Sequence, residues 1–151
     1  MEEKEFQEII DFAIRREYEA AKFYKELKEK VKIPESKRML EELEQMEHAH
    51  AEQLKKITAA DTKGEYLIPE VPDLKLSDYL VNQNDTEFET LQDILLVAMK
   101  REDAAATLYN KLAEQSKDPN TKNLFLKLFT EEKKHKLQLE TIYDDEIYTE
   151  N

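Results

Sequence analysis

Apolar residues near the start of the chain recur every three or four positions: Phe6, Ile9, Ile10, Ala13, Ala20, Tyr24, Leu27 and Val31. That period belongs to a helix, so the pattern predicts one long amphipathic helix ending before Pro34. A second stripe follows at once through Met39, Leu40, Leu43, Met46, Leu54 and Ile57, and fades in the polar stretch TAADTKGE. From about residue 59 to 88 the period lapses. This connection holds the only Gly and two of the four Pro, and SDYL within it is a candidate for a single turn. A third helix is expected to open at Thr90, which can form a capping box with Asp93, and to run to about Ser116. Asp118 is placed to cap a fourth, with Pro119 in its first turn, ending around Tyr143. The reading is an all-α, four-helix bundle forming a single domain over residues 1–151.

Sliding the chain along itself until Glu17 meets Glu102 lays residues of about 4–58 over those of about 89–143. Ala20 and Ala21 then meet Ala105 and Ala106, Tyr24 meets Tyr109, Leu27 meets Leu112, Pro34 meets Pro119 and Leu43 meets Leu128. Glu47 falls on Glu132 and His50 on His135. A shared core requirement explains repeated Leu and Ala, but not repeated Glu and His.

Glu17 and Glu47 are equidistant in sequence from the turn at Lys32, as are Glu102 and Glu132 from Lys117. In antiparallel helices rising about 1.5 Å per residue, each pair sits at one level, roughly 22 Å below its turn. The histidine three residues past the second Glu shares its helical face. Each half therefore supplies a Glu and then Glu-x-x-His. Glu17 also lies inside the apolar stripe, between Ala13 and Ala20, and Glu102 has matching neighbours. Four carboxylates and two imidazoles inside a bundle are costly unless protonated, hydrogen-bonded or bound to cations. Two divalent ions would cancel the four negative charges, and oxygen-rich sites of this kind suit iron or manganese better than zinc. Ordinary surface glutamates are the competing reading, and the symmetric spacing weighs against it. His48 has Lys133 as its repeat counterpart and is expected at solvent or an interface.

Composition narrows the chemistry further. The chain is 40% hydrophobic and 38% charged, without cysteine, which excludes disulfides, thiolate metal sites and a cysteine nucleophile. A net charge of −12 repels phosphate backbones and anionic lipid, so neither nucleic acid nor membrane is an expected partner. The opening MEEKEFQEII has no basic region followed by an apolar stretch, and the expected location is cytoplasmic.

From FAIRREYEAAKFY through LLVAMKREDAAATLY and TEEKKHK to YDDEIYTEN, the sequence resembles the ferritin-like di-iron carboxylate proteins, and within them the rubrerythrin-like family. That class takes a Glu from each of two helices and Glu-x-x-His from each of the other two. The resemblance implies metal ligation by Glu17, Glu47, His50, Glu102, Glu132 and His135, with Glu47 and Glu132 bridging two iron ions; manganese is the alternative metal. Helices two and three would be parallel, joined by a long crossover. Tyr24 and Tyr109, two turns past ligand glutamates, are candidates to hydrogen-bond carboxylates across the bundle, with core packing as their other reading. Relatives often place an acid before the fourth-helix Glu to orient a histidine, and Glu131 fits that role. The matching second-helix position is Met46, so His50 is expected to be better oriented than His135.

Two departures bear on activity. Full-length rubrerythrins carry a cysteine-ligated iron domain that delivers electrons, and this chain has no cysteine. They also carry a further Glu one turn after the third-helix ligand, where Ala105 stands here, leaving a symmetric six-residue set like a bacterial ferroxidase centre. The expected function is reduction of hydrogen peroxide or dioxygen with electrons from an external donor such as a rubredoxin-like protein. The alternatives are an iron-binding or ferroxidase protein without repeated turnover, and a metal-free structural bundle. The class implies a homodimer. The acidic tail DDEIYTEN is read as solvated, or docked on a partner through Ile147 and Tyr148.

Overall fold

The computed structural model describes residues 3–61, 90–116 and 118–148. Four long helices, α1 (Glu3–Lys28), α2 (Pro34–Asp61), α3 (Leu91–Gln115) and α4 (Pro119–Tyr143), are followed by one π-helical turn, Asp144–Tyr148. The expected crossover of about 59–88 lies almost wholly outside the described residues, as does the candidate SDYL turn, while α2 continues to Asp61.

Helix starts follow from the caps. Thr90 accepts a hydrogen bond from the backbone N–H of Asp93 at 3.1 Å and opens α3. Asp118 accepts from the N–H of Thr121 at 2.9 Å, with Pro119 just inside α4. As expected α1 ends before Pro34, though short of Val31, the last residue of its stripe. The helix closes at Lys28, where the N–H groups of Glu29 and Lys30 turn back to the carbonyls of Glu26 and Leu27. Val31 still reaches the core, but from the turn.

Helix directions follow from contacts across the bundle. Tyr24 of α1 meets Glu102 of α3 and Glu17 meets Tyr109, so advancing along α1 means retreating along α3. Likewise Glu47 and His50 of α2 lie beside His135 and Glu132 of α4 in reversed order. The short α1–α2 link makes that pair antiparallel too. Helices α2 and α3 therefore run parallel, in the ferritin-like arrangement.

The interior has three layers. One apolar cluster joins Phe6, Ile10 and Phe12 to Leu54, Leu108, Leu112 and Phe125. The other joins Leu27 and Val31 to Leu40, Leu43, Leu95, Leu139 and Ile142. Between them lie the buried Glu17, Glu47, His50, Glu102, Glu132 and His135.

The acidic tail corrects the sequence reading as far as Tyr148. Glu146 is buried and accepts hydrogen bonds from the backbone N–H groups of Lys32 at 2.6 Å and Ile33 at 3.0 Å. Ile147 packs against the second apolar cluster, so this stretch folds onto its own chain, whereas Tyr148 remains exposed and meets Tyr143 edge-on.

Candidate metal centre

Each of the six repeated side chains comes from the middle of a helix, where the apolar stripe forces it inward. Fixed helix register then makes them converge. One polar atom of each is sealed from solvent without a hydrogen-bond partner: Glu17 Oε2, Glu47 Oε1, His50 Nδ1, Glu102 Oε2, Glu132 Oε1 and His135 Nδ1. Native interiors rarely leave buried polar atoms unpaired, and six facing one another call for an explanation.

Their distances supply one. His50 Nδ1 lies 3.4 Å from Glu17 Oε2, 3.3 Å from Glu47 Oε1 and 3.1 Å from Glu132 Oε1. His135 Nδ1 lies 3.6 Å from Glu102 Oε2, 3.0 Å from Glu47 Oε1 and 3.2 Å from Glu132 Oε1. These contacts are close but lack hydrogen-bond alignment. Donor atoms about 2.1 Å from a shared cation are spaced roughly 3.0–3.4 Å from one another, a spacing that five of the six contacts match and the sixth, at 3.6 Å, nearly reaches. The residues present therefore fit a metal site. Glu47 and Glu132 each approach both imidazoles, while Glu17 and Glu102 each approach one. The two rings stack at 5.5 Å.

Surrounding groups hold this layer in place. Tyr109 donates its hydroxyl to Glu17 Oε1 at 2.5 Å, and Tyr24 donates to Glu102 Oε1. Arg16 donates to the carbonyl of Arg101 at 3.1 Å, tying α1 to the backbone beside Glu102. The outer nitrogen of His50, Nε2, meets Glu131 Oε2. Among the described residues no hydrogen bond reaches Nε2 of His135. Met46 stands at the repeat position of Glu131 and lines a cleft that borders His135. His48 is exposed, its ring tilted against Tyr18 at 5.8 Å.

The electrostatics match a charge-dense interior. Burial pushes Glu102 up to about 7, reinforced by Glu132 and opposed by His135 and Tyr24. Burial also raises Glu17, with Glu132 adding to the effect, and raises Glu47, with Glu17 and Glu102 adding. Burial opposes charge on His50, but the adjoining Glu132, Glu17 and Glu47 overcome it and raise the ring's pKa. His135 behaves likewise, pushed up to about 12 by Glu102, Glu132 and Glu47 against burial. Burial and the neighbouring carboxylates raise both tyrosines, which act as neutral donors. Without cations, this layer retains protons to offset its carboxylates.

Sequence reading had not singled out Glu42, Gln45 and Gln138, which line the cleft beside His135 with Met46 and Glu131. Their spacing was the available signal: Glu42 and Met46 are one turn apart on α2, and Gln138 stands one turn beyond Lys134 on α4.

No helix among the described residues is long and apolar enough to cross a membrane. No significant match is found among curated proteins. The structure is similar to a solved structure of a hypothetical protein from Pyrococcus furiosus, at 30% identity and a TM-score of 0.71, over 91% of this chain and 87% of that one. A sequence profile of the family Rubrerythrin matches residues 8–143, spanning all four helices and the whole buried Glu/His layer. The chain belongs to the rubrerythrin family, and its polar layer is a candidate metal-ion site within a ferritin-like bundle.

Proposed function

We propose that the protein is a di-iron oxidoreductase that reduces hydrogen peroxide or dioxygen with electrons from a separate donor protein. The observation that carries this reading is the set of six sealed, unpartnered donor atoms, with Glu47 and Glu132 each within reach of both imidazoles. In it, Glu17 and His50 would hold one ion and Glu102 and His135 the other, with Glu47 and Glu132 placed near both imidazoles. Iron held by these residues would supply redox chemistry for O–O cleavage, in which peroxide takes two electrons and two protons, ultimately from the donor and solvent, to give two waters.

The chain's own groups set the conditions. Four carboxylates balance the charge of two divalent ions. The Tyr24 and Tyr109 hydroxyls fix Glu102 and Glu17, and Glu131 orients His50. The apolar layers on either side limit water around the centre. Lacking cysteine, the chain has no thiolate-ligated electron carrier of its own, hence the external donor, of rubredoxin-like kind. Under this reading the protein works in the cytoplasm as a homodimer.

A second reading, iron uptake and oxidation without repeated turnover, is favoured by Ala105, whose small side chain leaves the six-residue set without a further carboxylate. Anaerobic ferrous loading followed by stopped-flow mixing with equal hydrogen peroxide or dioxygen separates the two. Faster oxidation by peroxide, cycling when a reductant is added and absent in Glu132→Ala, is the expected result. Preference for dioxygen without cycling supports the second reading. If neither protein binds iron, the metal-free structural bundle replaces both.

A further inference from the structure

The two halves of the centre are related by the sequence repeat but differ on their outer sides. His50 is fully buried, and its outer Nε2 is held by Glu131. His135 is 3% exposed, and its outer edge borders a cleft of about 410 Å³ between α2 and α4. The cleft is lined by Glu42, Gln45 and Met46 of α2 and by Glu131, His135 and Gln138 of α4, with the exposed Lys134 also on its wall. The repeat explains the difference. The position that carries the acceptor Glu131 in the second half carries Met46 in the first, and a thioether is a weak acceptor.

We propose that the α2–α4 cleft is the route by which a divalent cation reaches and leaves the centre, and that the ion beside His135 and Glu102 exchanges ahead of the ion beside His50 and Glu17. This rests on the metal-binding reading and adds to it a path and an order.

Size and chemistry both allow the passage. A water occupies about 30 Å³, so a cation with six waters fills roughly 200 Å³, less than the cleft. Carboxylate and amide oxygens can replace those waters in turn, which is how hard divalent ions are usually desolvated. Glu42 is held by Arg38, and Lys134 is the one lysine or arginine among the lining residues described. A flexible, exposed lysine can swing into solvent.

Release of an ion requires its histidine to turn away. For His50 that breaks the contact with Glu131; for His135, among the described residues, no hydrogen bond at Nε2 has to break. Outer partners of metal-ligating histidines commonly change affinity by about 10- to 100-fold when removed, so the asymmetry is large enough to order the two ions.

The test uses cobalt(II), whose visible absorbance reports its ligands. The full chain is loaded with two equivalents and challenged with excess EDTA. Expected is release in two phases of one equivalent each. Met46→Glu, which supplies an acceptor for His135, should slow the fast phase by about tenfold or more, while Met46→Leu leaves it unchanged. Glu131→Gln should accelerate the slow phase. Single-phase release, or a fast phase indifferent to Met46→Glu, would overturn the proposed route while leaving metal binding intact. Failure to bind cobalt at all would remove the metal reading and this route with it.

Discussion

Tyr109 of α3 donates its hydroxyl to Glu17 of α1 at 2.5 Å, across the bundle and out of reach of solvent. Tyr109→Phe keeps the ring and strands the carboxylate oxygen. A hydrogen bond to a charged partner contributes about 1.5–3 kcal/mol, and an unsatisfied buried acceptor costs a similar amount. Metal-free Tyr109→Phe should lose that much stability in urea titration with an unchanged m-value, and metal affinity should fall about tenfold or more. If the phenylalanine variant matches the parent in both, the tyrosine is only a packing residue.

Acidity should stabilise the metal-free protein. Folded Glu102 titrates at about 7 against an ordinary 4.5, so the folded state holds more protons than the unfolded one between those values. Its contribution is fully present below pH 4.5 and is lost as pH rises toward 7. His135, pushed up to about 12 from 6.5, acts in the same direction above pH 6.5. The melting temperature of the metal-free protein should therefore fall steadily from pH 5 to pH 9. With divalent metal bound the slope should shrink or reverse, because metal replaces protons at the ligands. A melting temperature that climbs between pH 5 and pH 7 without metal would contradict these assignments.

Glu102→Gln should separate stability from binding. Above pH 7 the substitution removes a buried negative charge facing Glu132 and keeps an acceptor for Tyr24. The metal-free variant should melt higher than the parent at pH 8, while cobalt affinity measured by competition falls at least about tenfold. A variant less stable than the parent at that pH would show that ionised Glu102 is already well compensated.

Glu146 gives a test far from the polar layer. Its carboxylate receives the N–H groups of Lys32 and Ile33, so it fastens the chain's last helical turn to the α1–α2 corner. Glu146→Ala withdraws both acceptors and should cost about 1–3 kcal/mol. Amide exchange at Lys32 and Ile33 should accelerate, with exchange at Leu108 and Leu112 protected up to the new global stability. Unchanged exchange at the corner would mean that solvent replaces the carboxylate without loss.

The polar layer was legible because a glutamate inside an apolar stripe is conspicuous and because the repeat doubled the signal: Glu17 and Glu102 each sit among Ala and Tyr that recur with them. The caps at Thr90 and Asp118 were legible because their chemistry is local. Val31 was not placed correctly, since a residue can follow helical spacing and still pack from a turn. Glu146 was invisible for a different reason. In the run Asp144, Asp145, Glu146, nothing local distinguishes the acid that caps a distant corner from those that face water. The contrast between Met46 and Glu131 could be read as an acceptor missing from one side, but the cleft beside it depends on how α2 and α4 are spaced.

The chain folds as two hairpins, α1 with α2 and α3 with α4, and each brings two of the four carboxylates to their common face. Either hairpin can zip up from its own short link, since its partners are near in sequence. Joining the two requires closing the long intervening segment and bringing like charges together, so it carries a larger cost than zipping either hairpin. Neutralising the seam favours the docked pair. Protons on the two imidazoles do this in part, and divalent ions, if held there as proposed, would do so more completely. The seam between the hairpins is therefore where a bound ion would add most to stability, by joining two units that already meet without it.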